Sequence, residues 1–173
     1  MLPHGASWRR RVKLVSNTGP IIGLAKIGRL GLLKSLAVKV LIPPFVHKEL
    51  FGKTGTEMSD VERALEEFIS VVPVDISETS TMPVLAELDE GEKQAIVLAS
   101  KLGKDVLLLM DDQAGRQAAR KSGVPVTGLL GLLLLAKEKG LVSRVGSLIE
   151  ELRDSGYWLS DEIAKIAIEL AGE

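Results

Sequence analysis

Apolar positions along this chain follow two alternating rhythms. Short runs rich in Val, Leu and Ile, namely VKLVS (12–16), VKVLI (38–42), VVPV (71–74), DVLLLM (105–110) and VPVT (124–127), have the length and composition of buried strands. Helix-period segments lie between them. Residues 20–34 open on Pro20 and carry Ile21, Leu24, Ala25 and Leu32 at near-helical spacing, and Pro44 starts a second helix through Val46, Glu49 and Leu50. Ser59 with Glu62 reads as a capping box for a third helix, up to Ile69. Asp89 with Glu92 has the same form before AIVLASKLG, which Gly103 ends. QAGRQAARKSG follows the fourth strand, and three more helical stretches, 129–139, 145–153 and 161–171 with Ser160 as cap, follow the fifth. Residues 77–88 carry the weakest pattern and are expected to form a loop. Strands alternating with helices predict an α/β domain around a parallel sheet.

Composition narrows the class. A chain of 173 residues fits one domain with a self-sufficient core, and with no cysteine it has neither a disulfide scaffold nor a thiolate metal site. The apolar segment after the basic Arg9, Arg10 and Arg11 is broken by Lys13, Asn17 and Lys26, which makes a poor signal peptide. The longest apolar run, 128–136, falls well short of the roughly 20 residues of a membrane span. A cytoplasmic protein with no membrane partner is expected. The division reads as a basic extension, 1–11, followed by a single domain, 12–173. A net charge of −1 leaves nucleic-acid contacts to local clusters, either Arg9 to Arg11 or Arg116, Arg120 and Lys121, each of which is also explained as a solvated surface.

Candidate chemistry concentrates where strands end. In an open parallel sheet the functional crevice lies beyond the carboxyl ends of the strands. Asn17 follows the first strand there, and Asp111 with Asp112 follows the fourth; Glu49 and Glu92 lie on helices that can face the same crevice. Carboxylates separated by about 4 to 5 Å repel by a few kcal/mol at an effective dielectric near 20, so such a cluster needs a proton or a cation among them. With only His4 and His47 and no cysteine, the ligand set is oxygen, which suits Mg²⁺ or Mn²⁺ and argues against zinc. Removing a repelling acid without metal should relieve strain, so Asp111→Ala is expected to be at least as stable as wild type in EDTA.

Each residue also has a plainer reading. Glu92 is explained by the capping box with Asp89, and Asp112 either caps QAGRQAARKSG or acts as a ligand beside Asp111. Glu49 alone is an ordinary solvated helix position. Thr18 supports the site with Asn17 or forms an ST-turn, and Arg116 meets a phosphate or pairs with Asp112. The GKT of FGKTG (51–55) is not a P-loop, because His47 stands where that motif needs its first Gly and a helix precedes it. The Leu-rich helix 129–136 suits either the core or a dimer interface.

The ordered segments VSNTGPIIGLAKIG, LIPPFVHKELFG, LDEGEKQAIVLA, LLLMDDQAGRQAA and PVTGLLGLLLLA resemble the PIN-domain family, in particular a prokaryotic branch of PIN-like nucleic-acid-binding proteins related to VapC toxins. The resemblance spans about residues 12–160 and implies a three-layer fold with a central five-stranded parallel sheet. It also implies an Mg²⁺- or Mn²⁺-dependent endoribonuclease, extending to the toxin of a toxin–antitoxin pair with an antitoxin protein as partner. By position, the acids of that family fall on Asn17, Glu49, Glu92 and Asp111 or Asp112, and Asn17 departs from the usual Asp. Glu92 and Asp111 would then bind the ion, Asp112 and Glu49 would bind or orient a water on it, and Thr18 and Arg116 would assist substrate binding. Related proteins commonly pair, so a homodimer is expected. Two other readings remain open: a PIN-like module that binds RNA or protein without cutting, for which Asn17 argues, and an α/β protein whose carboxylates serve only caps and ion pairs.

Overall fold

The computed structural model describes residues 12–173, so the basic extension at 1–11, with His4 and Arg9 to Arg11, lies outside the described residues. Five strands, β1 (Lys13–Ser16), β2 (Lys39–Ile42), β3 (Ile69–Val71), β4 (Val106–Leu109) and β5 (Val126–Thr127), form one sheet in the order β3-β2-β1-β4-β5. Every pairing is parallel. The register sets Leu14 beside Val40 on one side and beside Leu107 on the other.

Strand side chains alternate between faces, and both faces are covered. Leu14, Ile42 and Leu109 point into a core shared with α1 (Thr18–Lys26), α3 (Pro44–Phe51), α4 (Met58–Glu67), α8 (Leu129–Glu138), α9 (Val145–Asp154) and α10 (Asp161–Leu170). Val15, Leu41 and Leu108 point into a second core, closed by α6 (Glu90–Lys101) and α7 (Gln113–Lys121). The result is the helix–sheet–helix sandwich expected from the sequence. No helix among the described residues is long and apolar enough to cross a membrane.

Several element boundaries differ from the sequence expectation for identifiable reasons. The helix expected over 20–34 is two helices, α1 and α2 (Gly31–Leu36), because Gly28 adopts φ 66°. Its N–H returns to the Ala25 carbonyl at 3.0 Å and that of Arg29 to Leu24 at 2.8 Å, which closes α1. No capping box forms at Ser59 and Glu62; α4 begins at Met58, and Ser59 Oγ donates to the Thr56 carbonyl at 3.3 Å. The third strand lies at 69–71 rather than 71–74, since Ile69 is buried and Pro73 has no N–H for the ladder. The expected loop at 77–88 contains α5 (Ile76–Ser80), capped by Asp75, and a 3-10 turn at Pro83–Leu85 that drives Leu85 into the second core.

Candidate active site

Strands β1 and β4 are adjacent, with Ser16 in register with Leu109, and the chain leaves them toward opposite edges of the sheet. That makes their carboxyl ends the switch point at which an open α/β sheet presents a crevice. Asn17 is tied into it by its own N–H, which donates to the Leu109 carbonyl at 3.0 Å. Its backbone is extended at the N-cap of α1, and its side chain does not cap the helix.

Glu49 reaches the same place from α3. Thr18 Oγ1 donates to Glu49 Oε1 at 2.9 Å across 31 residues, so the buried threonine orients a carboxylate rather than closing a local turn. The approach depends on Gly91. A Cβ at that position would lie 2.5 Å from Glu49 Oε1, 3.4 Å from Asn17 Oδ1 and 3.4 Å from Asp89 Oδ1, so three side-chain oxygens converge on the bare face of one glycine. Gln94, buried on α6, accepts from the Phe45 N–H at 3.1 Å and thereby pins the first turn of α3, which carries Glu49, against α6, which carries Glu92. Gly91 and Gln94 were not singled out in the sequence. A glycine inside a first helical turn costs helix stability by up to about 1 kcal/mol, and that anomaly was the available signal.

Glu92 completes a capping box: its N–H donates to Asp89 Oδ1 at 2.8 Å and its Oε2 accepts from the Asp89 N–H at 3.1 Å. Its carboxyl is nonetheless pushed up to about 7, first by burial and then by the charges of Asp89, Asp112 and Glu49, against the lowering effect of the Asp89 N–H. Asp112 caps α7 by accepting from the Gly115 N–H at 2.7 Å, and it is exposed. Asp111 Oδ1 accepts from the Leu129 N–H at 2.8 Å, capping α8, while its Oδ2 is buried with no hydrogen-bond partner among the described residues. Burial raises the Asp111 pKa, opposed by the Leu129 bond and by the charge of Arg116. Arg116 makes no ion pair with Asp112; its Nη1 donates to the carbonyls of Met110, at 3.2 Å, and of Asp111, fixing the end of β4.

Each of these acids therefore accepts at least one hydrogen bond from the chain, and no three His, Asp or Glu side chains among the described residues stand together as a ready metal site. By chemistry the donors suit a hard divalent cation, being carboxylates and one amide oxygen. The buried, unpartnered Asp111 Oδ2 is the kind of atom that a cation or proton would satisfy.

The sequence from residue 13 to residue 173 matches the PIN-domain family. The chain belongs to that family. A PilT N-terminus domain protein from the hyperthermophilic archaeon Sulfolobus solfataricus P2 shares the PIN-like architecture, with a TM-score of 0.54 and 22% identity over 70% of this chain and 91% of that one. At that identity the likeness is one of fold. No curated protein matches the chain in sequence.

Proposed function

We propose that this PIN-domain protein is a metal-dependent endoribonuclease that acts in the cytoplasm, with Glu49, Glu92, Asp111 and Asp112 as its working carboxylates and Asn17 as a neutral fifth oxygen donor. PIN-domain proteins are generally nucleases that use divalent metals, which supports the class of reaction. The observation that carries the reading is a local shortage of positive charge: Asp111 Oδ2 is buried without a partner among the described residues, and Glu92 is raised to about 7 beside Asp89, Asp112 and Glu49.

In this reading Glu92 and Asp111 would hold Mg²⁺ or Mn²⁺ directly, and Glu49, Asp112 and Asn17 would bind the ion or a water on it. A bound divalent ion supplies neutralisation of phosphate charge and polarisation of the scissile bond. Thr18 holds Glu49 in place, and the exposed Asp112 would take the proton of the attacking water as the water oxygen bonds to phosphorus, while the bond to the ribose oxygen breaks and that oxygen takes up a proton from solvent. Arg116 keeps the β4 terminus, and so Asp111, in position through its two carbonyl contacts.

The proposal extends to a toxin paired with an antitoxin protein, and to a homodimer formed through Ile163, Ile166 and Leu170, an exposed apolar stripe on α10. A binding module that holds RNA without cutting is the second reading, favoured by the neutral Asn17 and by the acids' engagement in caps. Incubating labelled RNA with the protein in Mn²⁺ and in EDTA separates them. Cleavage confined to Mn²⁺ supports the nuclease, whereas retention without cleavage in both supports the binding module.

A further inference from the structure

Helix α10, DEIAKIAIEL with AGE after it, turns its small residues inward. Ala164, Ala167, Ile168 and Ala171 recur at i, i+3, i+4 and i+7 and pack on α8 and α9, yet the helix buries only Ala164 and Ala167. Its larger side chains Ile163, Ile166 and Leu170 stay 49%, 49% and 71% exposed. Helix α9 by contrast buries Val145, Leu148, Ile149 and Leu152. Burying two methyl groups stabilises far less than burying four branched side chains, and a helix of this length does not stand alone in water. Polar contacts at its two ends must therefore hold α10 in place.

The starting end is weak. Arg153 Nη2 donates to Asp161 Oδ1 at 2.8 Å and to the Leu159 carbonyl at 3.3 Å, but the Asp161 side chain is fully exposed, and water weakens such a pair. The far end is built differently. Gly172, at φ 72°, closes α10 in a Schellman motif: its N–H donates to the Glu169 carbonyl at 3.0 Å and the Glu173 N–H to that of Ile168 at 3.1 Å. This turn throws Glu173 back over α9, where its carboxylate accepts from the N–H groups of Val145 at 2.6 Å and Gly146 at 3.0 Å and from Lys137 Nζ at 2.7 Å. Arg144 at the N-cap of α9 has no acceptor to offer, so Glu173 caps that helix from outside it. Lys137 Nζ also donates to the Ala171 carbonyl at 2.7 Å, so one ammonium grips both the last turn of α10 and its acid. A Cβ on Gly146 would lie 3.1 Å from Glu173 Oε2, which makes that glycine the seat of the carboxylate. Lys137 first, then the Val145 and Gly146 N–H groups, lower the Glu173 carboxyl to about 2, and it stays charged at ordinary pH.

The root of α10 is anchored separately. Helix α9 ends in its own Schellman motif at Gly156, with the Tyr157 N–H on the Leu152 carbonyl at 2.9 Å, and a Cβ on Gly23 would lie 2.8 Å from Tyr157 Cε2, so the ring lies on α1. Only Trp158 and Leu159 separate this anchor from Ser160, the N-cap of α10.

We propose that α10 is a strap latched by Glu173: when that carboxylate leaves the N-terminus of α9, α10 swings open about residues 158–159 while the sheet and the other helices stay folded. The device needs neither metal nor RNA and stands apart from the nuclease reading.

The test is native-state hydrogen exchange, read by mass spectrometry, on wild type, Glu173→Ala and Lys137→Met, each at two protein concentrations. In wild type the α10 amides should exchange through a local opening, faster than those of β1, β4 and the centre of α9 and insensitive to low urea. Glu173→Ala should speed α10 exchange about tenfold or more, through loss of a cap and of charge-assisted hydrogen bonds, and Lys137→Met should speed it too. The first turn of α9 should loosen with it, while β1, β4 and α8 exchange as in wild type. The inference is overturned if α10 exchanges only together with the sheet, or if Glu173→Ala leaves α10 at its wild-type rate. It is also overturned if Glu173→Ala speeds sheet and α10 alike, which would make Glu173 a stabiliser of the whole fold. Protection of α10 that follows protein concentration rather than residue 173 would make a second copy its holder and likewise overturn it.

Discussion

Asp111 caps a helix 18 residues downstream, its Oδ1 accepting the Leu129 N–H at 2.8 Å while its Oδ2 stays buried and without a partner among the described residues. One oxygen is structural and the other is free for a cation or a proton. The cap opposes the gain in stability expected from relief of repulsion on removing this acid. In EDTA, Asp111→Ala should be less stable than Asp111→Asn by about 1 kcal/mol, because only the amide keeps an acceptor for α8. Urea denaturation checks this, and equal midpoints would mean that the cap contributes nothing.

Glu92 gives a pH signature. Its folded pKa, about 7, exceeds its ordinary value, so between roughly pH 4.5 and 7 the unfolded chain releases a proton that the folded one keeps. Stability from this group therefore falls as pH rises through that window and is level above it. Glu92→Gln keeps an acceptor for the capping box but cannot ionise. Its melting temperature should exceed that of wild type at pH 8, and the gap should close by pH 4.5. A gap independent of pH would show that Glu92 is not strained when charged.

Gly91→Ala separates the site from the fold. The added methyl would lie 2.5 Å from Glu49 Oε1, the far end of a flexible side chain, so Glu49 swings away from Thr18 while the helix gains a better former. Stability should stay within about 1 kcal/mol of wild type, and Mn²⁺ affinity and RNA cleavage should fall. Unchanged Mn²⁺ binding would remove Glu49 from the site.

The layers of this fold were legible because strand runs such as VLLLM are continuous and the Gly and Pro punctuation between elements is strong. The Asp pair after β4 was legible for the same reason, since adjacent acids at the end of a buried strand are anomalous in themselves. What escaped were effects of tertiary contact. Nothing local marks Leu129 as the partner of Asp111, Thr18 as the partner of Glu49 or Gln94 as the brace between α3 and α6. The break at Gly28 was visible as a residue, and its positive φ closes α1 locally through the Ala25 and Leu24 carbonyls.

Asn17 stands where the resemblance implies an acid, and its Oδ1 shares the Gly91 face with Glu49 Oε1. A carboxylate there adds negative charge, which tightens a hard cation. Asn17→Asp should therefore bind Mn²⁺ more tightly than wild type and cleave RNA faster, while losing stability in EDTA through repulsion with Glu49. Weaker Mn²⁺ binding in this variant would instead mark the Asn17 amide as a hydrogen-bond donor to a neighbouring carboxylate.

Calorimetric titration of Mn²⁺ into wild type, Glu92→Gln and Asp111→Asn at pH 8 bears most directly on the carboxylate site. Both variants keep their capping acceptors, so the fold is held constant while one charge at a time is removed. Saturable binding to wild type, weakened about tenfold or more in each variant, is the expected result. Absent binding, or equal affinity in all three proteins, would contradict a metal site at these residues and leave the acids as caps alone.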